Sequence, residues 1–165
     1  MQIRAERPED ANAIHFLTEA AFKEAPHASH TEAKIVDALR TADALTVSLV
    51  AIEDSAVVGH VAFSPVTISS GARNWFGLGP VSVTPARQGQ GIGQALVREG
   101  LRRLEDLGAA GCVVLGDPDY YGRFGFAYDP GLTYGDIPPG YFQRLTLNGA
   151  SPKGEVAYHP GFDAS

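Results

Sequence analysis

The chain has 165 residues, of which 44% are hydrophobic and 19% charged, and its formal net charge is −6. This length suits one domain with a single core, and the composition is that of a soluble globular protein. An acidic chain lacks the basic face that nucleic acid requires, and no apolar run approaches the roughly 18 residues of a membrane-spanning helix. We therefore expect neither a nucleic-acid partner nor a membrane segment.

The single cysteine and the first residues bear on the compartment. Cys112 has no second cysteine to pair with, and its place in the apolar run Cys112-Val113-Val114-Leu115 indicates a buried structural thiol. Met1 leads directly into a strand-like segment with no visible signal peptide. These features predict a cytoplasmic protein.

Hydrophobic patterns predict five elements in the first half of the chain. In chain order these are a strand at 2–6, a helix from Pro8, a helix at 31–41, and strands at 45–53 and 57–65. Pro8 occupies the first-turn position that helices favour. The Asp54-Ser55 pair between the last two strands indicates a hairpin turn.

The second half begins with a strand and a long amphipathic helix. In chain order the patterns predict a strand at 74–83, a helix at 92–107, a strand at 111–115, a short helix at 118–124, and last core strands at 126–128, 141–147 and 155–159. The apolar residues of the long helix, which we expect to face a sheet, are Ile92, Leu96, Leu101, Leu104 and Leu107. Gly108 suits the end of that helix. Interleaved strands and helices of this kind predict an α/β fold with a mixed sheet.

A glycine-rich turn between the strand at 74–83 and the long helix is the main candidate for a binding site. A helix N-terminus presents unpaired N–H groups and the positive end of the helix dipole, and glycines let an anion approach the backbone closely. The residues that we expect to bind a diphosphate are Gln88, Gly89, Gln90, Gly91, Ile92 and Gly93.

The spacing of the turn excludes two nucleotide motifs. No lysine follows the glycines, as a P-loop requires, and Gln94 stands where the dinucleotide fingerprint needs its third glycine. The pattern that matches is [QR]-x-x-G-x-[GA], with Gln88, Gly91 and Gly93. In this motif the chain resembles the GNAT superfamily of N-acetyltransferases, in which the turn cradles the pyrophosphate of acetyl-CoA.

A second motif strengthens this resemblance. Tyr121 stands four residues before Gly125-Phe126, as a tyrosine does in many members of the superfamily. More narrowly, the chain is similar to the YhbS-like branch. The segments that carry this similarity are His30-Thr31-Glu32, Leu39-Arg40, Val58-Gly59-His60, Leu78-Gly79-Pro80-Val81, Gly116-Asp117-Pro118 and Val156-Ala157-Tyr158-His159-Pro160.

The resemblance implies a fold, a single domain and a cosubstrate. The fold is a mostly antiparallel central sheet flanked by helices, with one splayed pair of strands. It implies a single N-acetyltransferase domain over residues 1–165, whose cofactor half spans about 74–128. The cosubstrate would be acetyl-CoA, with no metal, and the acetyl group would pass directly to an unidentified amine of a small molecule or a protein.

The resemblance also implies roles for particular residues. The pantetheine arm would pair with the strand edge at Val81, Ser82 and Val83, and Asp117 would join the cofactor site. The N–H near Val81 would stabilise the oxyanion, although Pro80 is equally consistent with a simple bulge. Tyr121 would be the general acid for the leaving thiolate, with Tyr120 as the alternative. The interpretation that needs no catalytic role is that both tyrosines are packing residues.

The general base stays open, because the strand before the glycine turn contains no carboxylate. The candidates are Glu24, His27, His30, Glu32 and a water molecule. For Arg123 a phosphate contact and a solvated position are equally consistent, while His60 and Trp75 are interpreted as core residues. A longer acyl donor, a carrier-bound acyl group, a CoA sensor without turnover and a homodimer remain alternatives.

Overall fold

The computed structural model describes residues 1–26 and 28–165. Its centre is a seven-stranded sheet with the spatial order β1-β2-β3-β5-β6-β9-β7. The strands of this sheet are β1 (Gln2–Ala5), β2 (Val47–Glu53), β3 (Ala56–Pro65), β5 (Trp75–Val83), β6 (Gly111–Leu115), β7 (Ala127–Tyr128) and β9 (Phe142–Thr146). Within this sheet β5 and β6 run parallel, and the other neighbouring strands run antiparallel. The predicted, mostly antiparallel central sheet is confirmed.

Helices cover both faces of this sheet. They are α1 (Ala11–Phe22), α2 (Glu32–Thr41), α3 (Ile92–Asp106) and the short α4 (Pro118–Tyr121), with single 3-10 turns at Pro8–Asp10, Pro85–Arg87, Gly122–Phe124 and Pro160–Asp163. Leu49 of β2 packs in the core cluster of α3, whereas its neighbour Val50 packs with α1 and α2. Because successive strand residues point to opposite faces, α3 lies on one face and the α1–α2 pair on the other. No helix in the described part of the chain has the length and apolar character needed to cross a bilayer.

The hairpin between β2 and β3 forms where the sequence predicts it. Asp54 and Ser55 both adopt left-handed backbone angles, with φ of 51° and 66°. Two consecutive residues of positive φ make the turn whose twist suits a two-residue hairpin. The β2–β3 pairing then runs from Glu53↔Ala56 to Val47↔Phe63.

The long helix packs closely against the sheet through Gly100. A Cβ at this position would lie 2.1 Å from Cε1 of Phe63 on β3, so only glycine lets the helix approach this far. The prediction that Leu107 faces the sheet is wrong, since Leu107 is 63% exposed. The helix ends at Asp106, and Gly108 with φ of 80° turns the chain away, so Leu107 falls beyond the last helical turn.

The last predicted core strand belongs to a different sheet. β4 (Thr67–Ile68), β8 (Leu132–Thr133) and β10 (Gly154–Ala157) form a separate three-stranded sheet in the order β4-β10-β8. The prediction of a core strand at 155–159 is therefore wrong in its placement. β7 already pairs with the outer edge of β9, so the core sheet ends there and β10 pairs with β4 instead.

Candidate active site

β5 and β6 separate after three residue pairs, and this separation creates the site. Trp75, Phe76 and Gly77 pair with residues 111–113, and no further pair joins the two strands. From Leu78 to Val83 the described partner of β5 is β3 alone. The second half of β5 therefore has an open edge on the side of β6.

Backbone alternation identifies the groups on this open edge. Thr84 donates its N–H to the carbonyl of Val58 on β3 at 2.9 Å. Because alternate residues of a strand direct their N–H groups to opposite sides, the N–H groups of Val81 and Val83 point away from β3. Ser82 lies between them with its N–H towards β3, and its hydroxyl lies 3.5 Å from Oγ1 of Thr18 in the core. Val81 and Val83 thus reach the open edge, whereas the polar groups of Ser82 face elsewhere.

A β-bulge lies at the point of separation. Val61 pairs with Val81 but Phe63 pairs with Leu78, so β5 has one residue more than β3 over this stretch. The extra residue falls at Gly79-Pro80, a cis peptide, where Gly79 has φ of 138°. Pro80 has no N–H to donate. The bulge redirects β5 at the site where the strands part, as bulges beside active sites often do.

The glycine turn presents free donors at the start of α3. Gly89 and Gly91 have φ of 77° and 86°, and no heavy atom lies within 4 Å of the place where a Cβ would stand on either. No side chain caps the helix, and the first intrahelical bond runs from Ala95 to Gly91 at 3.1 Å. The N–H groups of Ile92, Gly93 and Gln94 therefore have no intrahelical acceptor. Such a terminus suits an anion.

Two side chains tie the glycine turn to the sheet. The side-chain amide of Gln88 donates to the carbonyl of Val83 at 3.1 Å, and Arg87 forms an ion pair with Glu53 of β2. Gln88 thus holds the turn against the open edge of β5. The predicted contact of its side chain with a cofactor stays a prediction, as does that of exposed Gln90.

The two tyrosines of α4 lie beside different parts of the site. A Cβ at Gly93 would stand 3.4 Å from the hydroxyl of Tyr120, so this hydroxyl lies at the glycine turn. The ring of Tyr121 instead covers Gly116, where a Cβ would stand 2.5 Å from Cε2 of Tyr121. Tyr121 lines the cavity at the separated strands. The Tyr121 hydroxyl makes no hydrogen bond to the described residues.

Burial raises the pKa of Tyr121 to about 12, and the nearby Tyr120 and Cys112 act in the same direction. The phenol is therefore protonated at neutral pH, as a proton donor must be. Burial also raises the pKa of Tyr120, although Arg123 and Arg98 oppose it.

The remaining predicted residues near α4 have structural contacts. Asp117 begins the helix and its carboxylate accepts the N–H of Asp119 at 2.9 Å. The guanidinium of Arg123 lies 4.6 Å from the ring centroid of Tyr120 and donates to the Tyr120 carbonyl at 2.8 Å. Both side chains shape the helix, and their contact with a cofactor stays a prediction.

A cavity of about 330 Å³ lies at the separation of β5 and β6. Its lining residues are Phe22, Glu32, Ile35, Leu78, Gly79, Pro80, Val81, Leu115, Tyr121, Tyr134, Tyr158 and Phe162. The wall is almost wholly apolar and aromatic, and Glu32 is the one charged side chain among these lining residues. Val81 and Tyr121, which come from different elements, thus meet in one cavity.

Of the three candidate side chains for the general base that the structure describes, Glu24, His30 and Glu32, only Glu32 is among the residues that line this cavity. His30 lines an adjoining cleft together with Glu32, and Glu24 lines a third cleft beside Gln88. His27 lies outside the described residues. Both bonds that Glu32 receives, from the N–H and the hydroxyl of Ser29, end on Oε2 at 2.9 and 3.0 Å. Oε1 therefore has no hydrogen bond to the described residues.

Three residues with reactive or polar side chains prove to be parts of the core. Cys112 and His60 are fully buried and Trp75 is 2% exposed. The indole of Trp75 packs on Gly111, and burial raises the pKa of the Cys112 thiol, which keeps it neutral. The predictions of a structural thiol, a core histidine and a packing tryptophan are confirmed.

A second cleft, of about 480 Å³, shares no lining residue with the cavity. Of its charged residues, Glu6, Arg40, Arg103 and Asp106 are engaged in ion pairs, and Asp43 is the fifth. Within the described residues, no group of three or more His, Cys, Asp or Glu side chains is arranged to hold a metal ion.

Sequence patterns alone did not single out the aromatic part of the cavity wall. Tyr134, Tyr158 and Phe162 come from the C-terminal quarter of the chain and meet only through the small β4-β10-β8 sheet and the turn at Pro160–Asp163. The one signal that pointed there was the similarity of Val156-Ala157-Tyr158-His159-Pro160 to the YhbS-like branch.

Known proteins share this architecture. Residues 11–126 match the Acetyltransferase (GNAT) family. The uncharacterized N-acetyltransferase YhbS of Escherichia coli is 44% identical over 127 residues, which make up 76% of this chain and 73% of that protein. A GNAT family acetyltransferase from Brucella melitensis, in complex with acetyl-CoA, is 54% identical with a TM-score of 0.87, over 98% of this chain and 97% of that one. YhbS from Escherichia coli, in complex with CoA, has a TM-score of 0.89 at 38% identity, over 98% of this chain and 91% of that one.

These likenesses agree with the strand separation, the glycine turn and the tyrosine helix described above. The expected fold and the expected YhbS-like branch are both confirmed. The chain belongs to the GNAT family of acetyltransferases.

Proposed function

We propose that this protein transfers an acetyl group from acetyl-CoA directly to a primary amine, within one N-acetyltransferase domain whose cofactor half spans about residues 74–128. The observation that carries the proposal is the continuity between the open edge of β5 and the glycine turn. An extended pantetheine arm has amide groups that suit a free strand edge. Its diphosphate then reaches the uncapped start of α3. The related Brucella melitensis structure, which contains acetyl-CoA, supports this choice of cosubstrate.

The N–H of Val81 is the proposed oxyanion donor. It lies on the open edge of β5, and Val81 also lines the cavity in which the thioester carbonyl would lie. As the amine nitrogen attacks, the carbonyl oxygen becomes negatively charged, and a fixed N–H in an apolar wall stabilises that charge strongly.

Tyr121 is the proposed donor to the departing sulfur. As the tetrahedral intermediate collapses, the C–S bond breaks and negative charge develops on sulfur. A thiol has an ordinary pKa of about 8.5, well below the value of about 12 to which burial raises the pKa of Tyr121. The phenol therefore remains protonated until the sulfur departs, and its hydrogen bond to sulfur strengthens as the charge grows.

Glu32 is the proposed acceptor of the proton that the amine must lose. Among the described residues of the cavity wall its carboxylate is the one charged group, and Oε1 is free of hydrogen bonds to the described residues. The balance of the reaction is then simple. A C–N bond forms and the C–S bond breaks, the nitrogen loses one proton to Glu32, and the sulfur gains one from Tyr121. The proton on Glu32 then returns to the Tyr121 phenolate through solvent, which restores the enzyme.

Calorimetric titration with CoA tests the cofactor site. Gly91→Glu would place a carboxylate where the diphosphate binds, so we expect at least a tenfold loss of affinity, about 1.4 kcal/mol. Gly108→Glu is a matched control, because Gly108 has φ of 80° against 86° for Gly91 and a Cβ at either would meet no atom within 4 Å. Both variants therefore carry a similar energetic cost of placing a residue with a Cβ at positive φ. Equal CoA affinity in both variants would refute the assignment of the turn.

Two alternatives have specific support. The absence of a carboxylate on β5 is compatible with a CoA sensor that binds without turnover. The second alternative is an acyl-CoA with a chain longer than acetyl. A cavity of about 330 Å³ that must also hold the amine favours a short acyl chain. An assay of CoA release with acetyl-, butyryl- and hexanoyl-CoA distinguishes acetyl transfer from these two alternatives. Binding of all donors with no release for any amine would favour the sensor.

The fully buried thiol of Cys112 fits our placement of the enzyme in the reducing cytoplasm.

A further inference from the structure

Half of the cavity wall comes from outside the cofactor half of the chain. We call this half the acceptor wall, and its residues are Phe22, Glu32, Ile35, Tyr134, Tyr158 and Phe162. Tyr158 covers Gly77 of β5, where a Cβ would lie 2.5 Å from Cε1 of the ring. Gly77 is the last residue of β5 that pairs with β6. The acceptor wall therefore begins at the point where the strands separate.

Aromatic rings give the acceptor wall its shape. The Tyr134 and Tyr158 rings meet edge to face, with centroids 4.9 Å apart at 84°. Phe162 continues the surface, with its ring centroid 5.0 Å from that of Tyr158. Aromatic rings arranged in this way favour an apolar or aromatic body, and their faces also attract a cationic head.

The turn at Pro160–Asp163 holds Phe162 in place against α2. A Cβ at Gly161 would lie 2.9 Å from Cδ2 of Leu39, so this turn sits close on the helix. Phe162 packs with Ile35 and Leu39 of the same helix. The acceptor wall is therefore built on packed elements, which suits selection of a ligand by shape.

One polar atom of the wall is both buried and without a hydrogen-bond partner. The Tyr158 residue is only partly buried, but its hydroxyl oxygen is closed off from solvent and has no hydrogen bond to the described residues. Burial raises the pKa of this phenol, and the neighbouring Cys112, Tyr134 and Tyr121 add to the effect. The ring that carries this hydroxyl covers Gly77, where the strand gap begins. Buried polar groups without partners are rare and call for an explanation.

We propose that the acceptor wall selects a primary amine attached to a compact aromatic or branched apolar body, as in an arylalkylamine. Glu32 binds the amine's charged form and takes its proton, while the aromatic rings hold the body. The Tyr158 hydroxyl, which has no partner in the free protein, gains a hydrogen bond when the substrates occupy the cavity. This inference rests on the proposed acetyl transfer and adds the class of acceptor.

The size and charge of the cavity argue against other amines. A polyamine would place further cationic groups against a wall with a single carboxylate, and burying an unpaired charge is costly. A sugar amine would bury several hydroxyls against rings that offer few partners. The net charge of −6 suits a cationic acceptor without selecting among these classes.

Rates of CoA release with four amines test this inference. The probes are 2-phenylethylamine, spermidine, glucosamine and a lysine-containing peptide, each with acetyl-CoA. We expect kcat/KM for 2-phenylethylamine to exceed each of the others at least tenfold. A preference for spermidine, glucosamine or the peptide would overturn the proposal. If no amine is turned over, the melting temperature of the protein is measured with acetyl-CoA and each amine. A melting temperature that 2-phenylethylamine does not change would also overturn the proposal.

Tyr158→Phe separates a functional hydroxyl from a structural one. Removing an unpartnered buried hydroxyl should leave the melting temperature unchanged or higher, because nothing in the free protein is lost. Turnover of 2-phenylethylamine should nevertheless fall at least tenfold, with CoA affinity unchanged. Tyr141→Phe, at an exposed tyrosine away from the cavity, serves as the control. A lower melting temperature with proportionate loss of activity would make Tyr158 a packing residue.

The two proposals fail in different ways. If the unaltered protein does not bind CoA in the calorimeter, the proposed function itself is wrong. If it binds CoA and acetylates a different class of amine, only the acceptor assignment is wrong.

Discussion

Tyr120 and Tyr121 are neighbours in the chain, but their hydroxyls face different parts of the site. The Tyr120 hydroxyl lies at the glycine turn, whereas Tyr121 lines the cavity with Val81. Their rings meet edge to face, with centroids 5.0 Å apart. From these positions we propose that Tyr121 meets the thioester and that Tyr120 meets the arm or the diphosphate.

This difference predicts unequal effects of removing each hydroxyl. Tyr121→Phe keeps the ring and its packing, so acetyl-CoA affinity and melting temperature should barely change. Turnover should fall by roughly 10²–10⁴, the usual range for a positioned general acid. Tyr120→Phe should lose much less turnover. Steady-state rates of CoA release check both variants.

The reverse pattern, with Tyr120→Phe crippled and Tyr121→Phe active, would move the donor role to Tyr120. Full activity in both variants would leave water as the proton donor.

At the residue scale, motif spacing predicted Tyr121 and the glycine turn but not the orphan hydroxyl of Tyr158. The turn is a local pattern, because glycines with positive φ at the start of a helix stand within six residues of one another. The surroundings of Tyr158 depend on Gly77, Tyr134 and Tyr121, which are brought together only by the completed fold.

At the scale of elements, a charged network joins Glu6, which directly follows β1, to α2, β2 and β3. Arg40 of α2 donates two hydrogen bonds to the Glu6 carboxylate, at 2.8 and 3.1 Å, and the Ser48 hydroxyl donates a third. Because that proton of Ser48 is engaged, its oxygen accepts from Nε2 of His60 at 2.8 Å, which leaves Nδ1 bare. Burial lowers the pKa of His60, so the ring is neutral.

This network predicts how stability depends on pH. Burial favours the neutral form of Glu6, but the His60 ring, whose Nε2 lies 3.7 Å from the carboxylate, and the hydrogen bonds from Arg40 and Ser48 outweigh it and hold the pKa of Glu6 well below its ordinary value of 4.5. A carboxylate with a lowered folded-state pKa stabilises the fold above its unfolded value and loses that contribution as the pH falls. The loss therefore begins below about pH 4.5 and grows towards the folded-state pKa.

Glu6→Gln should lower the free energy of unfolding at pH 7 by about 1.5–3 kcal/mol, the range for hydrogen bonds to a charged group. The difference from the unaltered protein should shrink as the pH falls below about 4.5. Urea unfolding at pH 7, 5 and 3 measures this, with exposed Glu105→Gln as the control. A difference that is constant from pH 7 to pH 3 would contradict the assigned pKa direction.

Element positions were more predictable than element partners. The strands β2, β3 and β5 and the helix α3 fall within two residues of the predicted bounds, because their apolar periodicity is local. The apolar pattern extends to Leu107, but the helix ends at Asp106, because Gly108 turns the chain away. β10 pairs with β4 because β7 already occupies the outer edge of β9. A local sequence pattern does not show which of two strands will occupy such an edge.

At the scale of the whole molecule, the site lies where two halves of the protein meet. The glycine turn and Tyr120 belong to the side of the sheet with α3, and the acceptor wall is built on α2 and the C-terminal turn. The separated strands form a passage between the two sides. An acyl donor entering from one side and an amine from the other would meet beside Val81 and Tyr121.

The sequence motifs predicted the cofactor side of this arrangement better than the acceptor side. The cofactor side is built from neighbouring segments of the chain, from β5 to α4. The acceptor wall combines Phe22 and Glu32 with Tyr134, Tyr158 and Phe162, which lie more than a hundred residues further along. Only tertiary packing brings these side chains to one cavity.

Amide NMR during a titration with CoA tests most directly that the cosubstrate lies along β5 and the glycine turn. The account predicts that the largest shifts fall on the N–H groups of Val81, Val83, Ile92 and Gly93. Residues of the separate charged cleft, such as Ala5, Thr46 and Leu107, should not respond. Shifts that cluster in that cleft and leave Val81 and Gly93 unchanged would contradict the account.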